Sequence, residues 1–436
     1  MGYKLWFTIL NMPDSSEESG KFMAWGPYLS YGADPATTMT ITWRTTEPSS
    51  DGWLKYGKDI EIMEIVNEEG DPTTSHVFRL TELEPETMYS YQISRDGDAT
   101  WKFKTGHAAG TLAPFEFIIN GDMHAYPCNS LSRYFELMAS EAPDHEFYVG
   151  LGDFVNDGMN LKHWNALFHD GKEYFATRPL MNATGNHDCD NKEKYQNYLD
   201  AFKHPYVDSK EGAYYLLEYG NAVLFFVDSS NGGRGGSLPS DEQYEWLETN
   251  LKRHARQDRW IFLFMHHQIY STGDFACANV MHDIFRPMCQ EYHVDAVFYG
   301  HDHHYECFWV DRETNWGGTL FFVAGAGGGQ HHIDHGIMGD RDGRTNYIWP
   351  GRFLNVRKHG IPPAGKYGVA RNDEVVGPCQ LLGVLEPNFV HVRIDGDIMD
   401  VRSIGWQKQV YHHLRVNRAG AGRKWDPSCE RVVLDY

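Results

Sequence analysis

Five short clusters of metal-ligand residue types, each directly behind an apolar run, constrain this chain more than any other feature. In order they are Asp122-Met123-His124, Gly152-Asp153 with Asn156, Gly185-Asn186-His187-Asp188, His266-His267 and Gly300-His301-Asp302-His303. The apolar runs span 115–119, 147–151, 179–183, 261–265 and 296–299. Continuous apolar runs this short read as strands buried on both faces. In α/β sheets, ligands gather beyond the carboxyl ends of such strands. Five strand ends therefore deliver Asp, Asn and His to one place, which is how a centre for two metal ions is built.

All five motifs in this order resemble the calcineurin-like metallophosphoesterase superfamily, over residues 112–405. The resemblance implies an α/β fold, a metallophosphoesterase β-sandwich flanked by helices. It also implies that Asp122, His124, Asp153 and His303 hold a first metal. Asp153 would bridge to a second, completed by Asn186, His266 and His301. Oxygen and imidazole ligands without thiolate suit iron, zinc, manganese or similar ions. Two carboxylates against two such cations leave the site positive, so hydroxide and phosphate enter without large Coulombic cost. His187 would not bind metal. Its counterpart in the family faces the substrate, stabilising developing charge or protonating the leaving group. Asn156 and Asp157 stand where relatives place the residue that orients this histidine. His267 and His304 are further candidate substrate contacts, and His331, with His332 and His335, could form part of the pocket wall.

A narrower resemblance is to the purple acid phosphatases and their relatives, which place a fibronectin-type domain before the catalytic one. Leu83-Glu84-Pro85-Glu86-Thr87-Met88-Tyr89-Ser90-Tyr91 is similar to the corner and strand of such a β-sandwich. Met39-Thr40-Ile41-Thr42-Trp43-Arg44 alternates as a half-buried strand should. One departure bears on the metal. The purple enzymes carry a tyrosine ligand three residues after the bridging Asp, where this chain has Asn156, and they lack the histidine that His124 supplies. The resemblance therefore implies a non-purple relative with histidine in place of tyrosinate.

The expected organisation is a lead-in over 1–22, a small all-β fibronectin type III-like sandwich over 23–106, and the catalytic domain over 112–436, with 105–110 as linker. Ser240 to Gln243 reads as a capping box, followed by Tyr244, Leu247 and Leu251 on one helix face. Residues 389–404 read as a hairpin turning at Asp395-Gly396. Residues 329–376 carry no strand or helix period, and loops this long inside compact domains are usually functional or disordered. Within them, 351–371 hold Arg352, Arg357, Lys358, Lys366 and Arg371 without a carboxylate. That segment is either a solvated loop or a lid that helps hold anionic substrate.

A net charge of −21 over 436 residues argues against non-specific nucleic-acid binding, which rests on Lys and Arg. No apolar run approaches a membrane span. The apolar stretch 5–10 is too short for a signal-peptide core, so the expectation is cytoplasmic unless a leader has been removed. Seven cysteines without paired spacing do not make a disulfide framework. The sequon Asn182-Ala183-Thr184 abuts the third motif and is expected to be buried. The oligomeric state stays open. Together these features predict a metal-dependent phosphoester hydrolase with two metal ions per chain, a phosphomonoesterase using a metal-bound hydroxide on a small phosphate ester. The alternative is a phosphodiesterase acting on cyclic nucleotides or glycerophosphodiesters, a branch that shares the first-motif histidine and Asn156. The remote alternative is a non-catalytic fibronectin-type binding protein with a dead hydrolase domain. Such a domain would lose ligands, and none is missing here.

Overall fold

The structure is a computed structural model. It describes residues 23–59, 61–127, 131–189, 196–207, 213–230, 240–255, 259–271, 279–314, 316–328, 348–350, 380–384, 386–418 and 430–431. His331, the 351–371 cations and the 1–22 lead-in lie outside the described residues, apart from a short strand at Ile348–Pro350 just before the cations.

Seven strands come first: β1 (Met23–Ser30), β2 (Met39–Ser49), β3 (Trp53–Asp59), β4 (Ile62–Asn67), β5 (Thr73–Leu80), β6 (Met88–Ile93) and β7 (Trp101–Lys104). They make two sheets ordered β1-β2-β5 and β4-β3-β6-β7. Ile41, Trp43, Phe78, Tyr91 and Phe103 fill the core of this sandwich. The Glu84 amide donates to the Tyr89 hydroxyl at 3.0 Å, the tyrosine corner of such folds. Alternation in β2 predicts one wet face, but Thr40 and Thr42 are as buried as Ile41 and Trp43. The reason is tertiary. Trp25 and Tyr28 of the neighbouring β1 stack on Phe168 of the following domain, so both faces of this sheet are covered. Residues 105–110 are likewise not a free linker, since Thr105 and His107 are buried and Thr105 hydrogen-bonds back to Thr87.

The second part contains β8 (Phe115–Asn120), α1 (Ser132–Glu141), β9 (Phe147–Gly150), α2 (Leu161–Asp170), α3 (Lys172–Phe175), β10 (Leu180–Asn182), α4 (Gln196–Ala201), β11 (Tyr215–Tyr219) and β12 (Ala222–Phe226). Next come α5 (Asp241–His254), β13 (Trp260–Phe264), α6 (Asn279–Tyr292), β14 (Ala296–Tyr299), β15 (Tyr305–Val310), β16 (Thr319–Ala324) and β17 (Ile348–Pro350). The chain closes with β18 (Gln380–Val384), β19 (Asn388–Asp395), β20 (Ile398–Gly405), β21 (Val410–Asn417) and β22 (Glu430–Arg431). One sheet runs β10-β9-β8-β19-β20-β21-β22 and the other β11-β12-β13-β14-β16-β15-β18-β17.

Period two sorts each strand between two cores. In β8, Phe117 and Ile119 enter the layer between the sheets, while Ile118 faces Tyr134, Phe135 and Met138 of α1. In β13, Phe262 and Phe264 enter the same inner layer, while Ile261 and Leu263 meet Leu247 and Leu251 of α5 and Phe285 of α6. The result is a helix–sheet–sheet–helix stack with strands apolar on both faces. Ser240 caps α5 through the Gln243 amide at 3.1 Å, but the box is half made. The Gln243 side chain is buried and pairs with the Asp228 main chain instead, and Tyr244 is exposed where the periodicity placed it inside.

Candidate metal centre

In the first sheet β8, β9 and β10 run parallel and end level, with Asn120 beside Gly150 and Gly150 beside Asn182. In the second, β12, β13, β14 and β16 run parallel in the same manner. Main-chain bonds then stitch the two sets of ends together. The Gly121 amide donates to the Ala324 carbonyl at 2.9 Å, across the sheets. The His301 amide donates to the Asp122 carboxylate at 2.9 Å, and His266 Nδ1 donates to the Leu151 carbonyl at 2.8 Å. Glycine is required where the crossing is tightest. A Cβ on Gly300 would lie 2.2 Å from Asp122 Oδ2.

Strain gathers at the same place. Asp122, His124, Asp153 and His301 have φ of +60°, +47°, +52° and +68°. Side-chain-bearing residues rarely occupy that region, at a cost of about 1–3 kcal/mol each. Such conformations persist only where surrounding structure imposes them, and they cluster at functional sites.

Two groups of donors result. Asp122, His124 and His303 bring ligand atoms within 4.8 Å of one another, as do His266, His267 and His301. Asp153 stands between the groups, its Oδ2 3.5 Å from His124 Nε2 and 3.4 Å from His266 Nε2. Asn186 joins the second group through Oδ1, 2.9 Å from His266 Nε2. All seven residues expected to hold metal are therefore brought together.

The donor set suits a pair of cations. Burial pulls the His124 pKa down to about 3, so the ring is neutral and offers a lone pair. His303 Nε2 faces His124 Nε2 at 3.1 Å. Burial, then His267 and His266, pull His301 well below the ordinary histidine value. Burial also opposes charge on His266, but Asp153 overrides it and raises that ring to about 9. A metal would displace the proton held there. Because His266 Nδ1 already donates to a carbonyl, Nε2 is the nitrogen left for ligation.

His187 lies at the open side of the cluster, its ring 4.7 Å from that of His124. Its amide donates to Asp153 Oδ1 at 2.7 Å, and Nδ1 donates to the Asn156 main-chain carbonyl at 2.8 Å. Of the two candidates for orienting it, Asn156 makes the contact, through its main chain. Asp157 Oδ1 accepts from the Met159 amide instead. His304 Nε2 lies 2.9 Å from Glu306, and both side chains are buried.

Three supporting residues escaped the sequence reading. Asp188, quoted in the third motif but given no role, accepts from the amides of Gly185 and Val155 and so ties the second motif to the third. Its pKa is raised to about 8 by burial and by Asp153. Ser229 accepts from the amides of His266 and His267. Gln243 fixes Asp228. Ser229 and Asp228 follow β12, a sixth apolar run ending in Asp-Ser-Ser, and that pattern was the available signal. Cys189 is a buried thiol whose Sγ donates to the Gly185 carbonyl, and Asn182 of the sequon is fully buried.

Comparison with known proteins agrees with this architecture. Residues 115–305 match the Calcineurin-like phosphoesterase family, and residues 25–105 match the Purple acid Phosphatase, N-terminal domain. The chain is 25% identical over 312 residues to "Probable inactive purple acid phosphatase 24" of Arabidopsis thaliana, a match covering 60% of this chain and 50% of that one. It is 22% identical to "Purple acid phosphatase 21" of the same plant, covering 68% of this chain and 70% of that one. The chain thus spans about half the length of the first of these relatives. Among solved structures, the purple acid phosphatase PPD1 of yellow lupin (Lupinus luteus) superposes with a TM-score of 0.70 at 17% identity, covering 94% of this chain and 77% of that one. Residues 115–305 are thus a calcineurin-like phosphoesterase domain, preceded over residues 25–105 by a purple acid phosphatase N-terminal domain.

Proposed function

We propose that this protein is a dinuclear metal-dependent phosphomonoesterase. The observation that carries the reading is the complete donor set: seven ligand-type side chains converge, with Asp153 Oδ2 between the two groups. A relative named "Probable inactive purple acid phosphatase 24" makes that completeness matter, because a dead site is free to lose donors. Asp122, His124, Asp153 and His303 would hold one ion, and Asp153, Asn186, His266 and His301 the other. Two bound cations supply an activated water at neutral pH and a clamp for the phosphoryl oxygens.

The chain's own groups do the rest. His187 is anchored by Nδ1–H on the Asn156 carbonyl, which leaves Nε2 to carry the proton that moves. In its protonated form the ring is placed to donate to the departing ester oxygen. Fixing it through main chain holds the ring at the rim of the centre with little freedom to lose on substrate binding. The small phosphate ester would enter from that rim, since His187 is the more exposed member of its cluster with His124 and Asp153.

The test is a panel of phosphate mono- and diesters on metal-stripped protein, with iron, zinc and manganese restored singly and in pairs. The reading expects monoester hydrolysis that requires added metal. Preferential turnover of cyclic nucleotides or glycerophosphodiesters would move the assignment to the diesterase reading, which His124 and Asn156 also allow. Iron-loaded protein should show no purple tyrosinate charge-transfer band, because Asn156 stands where the purple enzymes carry their tyrosine ligand. A visible band of that kind would overturn the ligand assignment.

A further inference from the structure

His267 is buried beside the ligand His266, and its ring centroid is 4.6 Å from that of His301 and 5.0 Å from that of His266. What the ring can do depends on which nitrogen carries hydrogen, and Ser229 settles that. The Ser229 hydroxyl oxygen accepts from the His266 amide at 3.2 Å and from the His267 amide at 2.9 Å. A hydroxyl oxygen has two lone pairs, so both are taken. Its one hydrogen is left to donate, and the partner within reach is His267 Nδ1 at 3.1 Å. Nδ1 is therefore the acceptor, and the ring hydrogen sits on Nε2.

That Nε2–H is buried and meets no acceptor among the described residues. A buried donor without a partner is costly, and native structures keep such groups where something else completes them. A metal ion does not complete this one, because ligation needs a lone pair where the ring presents a hydrogen. An oxygen acceptor does. We propose that His267 is a substrate-binding residue whose Nε2–H donates to a phosphoryl oxygen on the His266–His301 side of the centre, with Ser229 as the positioning residue that sets its tautomer. The inference rests on the phosphoesterase reading above and adds to it a donor that is not a metal. It also separates His267 from its neighbour, so that adjacent histidines on one strand end bind different things.

Two substitutions separate donor from ligand. His267→Gln keeps an amide N–H near the Nε2 position, whereas His267→Asn stops near Nδ1. Metal-loaded full-length protein is titrated with inorganic phosphate by calorimetry, and metal content is measured on the same samples. The expected result is two metals in every variant, phosphate binding roughly tenfold weaker for His267→Asn, and binding within about threefold of the parent for His267→Gln. If the Asn variant does not fold, Ser229→Ala carries the test, with weaker phosphate binding expected at unchanged metal content. Unchanged phosphate affinity in His267→Asn or its substitute overturns the proposal. So does loss of a metal ion in His267→Asn or His267→Gln, which would make His267 a ligand. A parent protein that holds two metals yet binds no phosphate fails at the earlier step and defeats the phosphoesterase reading itself.

Discussion

Two of the places where this molecule buries histidines beside carboxylates differ in how their rings are surrounded. At the seam between the domains, His107 sits between Glu86 and Glu146, each 3.2 Å from a ring nitrogen. Glu146 also accepts from the Tyr219 hydroxyl and pairs with Lys104 at 3.5 Å. Each charge there has a partner of the other sign. At the strand ends, imidazole faces imidazole, with His124 and His303 nitrogens 3.1 Å apart and His266, His267 and His301 packed ring against ring. Burial opposes His107, yet the two glutamates leave its pKa raised. Burial also opposes His124, and there it wins, lowering that pKa to about 3. The first cluster is closed by ion pairs, whereas the second converges Asp and His donors of the kind that hold cations.

The sharpest way to break this contrast is to remove the shared carboxylate. Asp153→Ala should lower metal content below two ions per chain and reduce phosphatase rate by more than about 10²-fold, beyond the usual cost of losing an outer-shell partner. Elemental analysis beside the rate assay checks it. Full metal content in that variant would show that Asp153 does not join the two groups.

The next effect concerns the rim. His187→Ala should keep both metals and lose on the order of 10²–10⁴-fold in rate, with a smaller loss for esters whose leaving groups need no proton. An equal loss across leaving groups would assign His187 to charge stabilisation instead. Asn156→Ala and Asp157→Ala should each cost less than about tenfold, because the atom that orients His187 is a main-chain carbonyl.

The smallest effect belongs to the seam and is read in stability. Burial would raise the Glu146 pKa, but hydrogen bonds from His107 and Tyr219 and nearby positive charge leave it lowered. Its contribution is present above the ordinary carboxylate pKa and is lost as pH falls through the lowered value. The raised His107 contributes fully below the ordinary histidine pKa, and that contribution is lost as pH rises through its raised value. The seam is therefore strongest between about pH 4.3 and about pH 6.5. Glu146→Gln should remove about 1–3 kcal/mol in that window and flatten the difference at both edges. Thermal melts of parent and variant across pH would show it. A variant whose deficit does not change with pH would reduce the seam to simple packing.

How much was legible in the sequence follows the same divide. The motifs at 122–124, 152–156, 185–188, 266–267 and 300–303 declared themselves because each couples an apolar strand to its ligands within a few residues. The hairpin of β19 and β20 was readable for a similar reason, with pairing from Asn388–Gly405 to Asp395–Ile398. What depended on distant partners was not. Thr40 and Thr42 read as solvent-facing until the neighbouring domain covers them. The His304–Glu306 pair, two residues apart at the start of β15, carried no signal in the sequence either. Ser229 had only the apolar run before Asp228 to mark it, and its role exists only where β12 and β13 end side by side.

If the strand-end cluster holds two metal ions on which catalysis depends, activity must follow metal content. The most direct measurement titrates metal into stripped protein while phosphomonoesterase rate and bound metal are followed in the same samples. The account predicts that activity rises to its plateau as content reaches two ions per chain, and that Asp153→Ala never reaches it. Full activity in protein holding one ion or none would contradict the account.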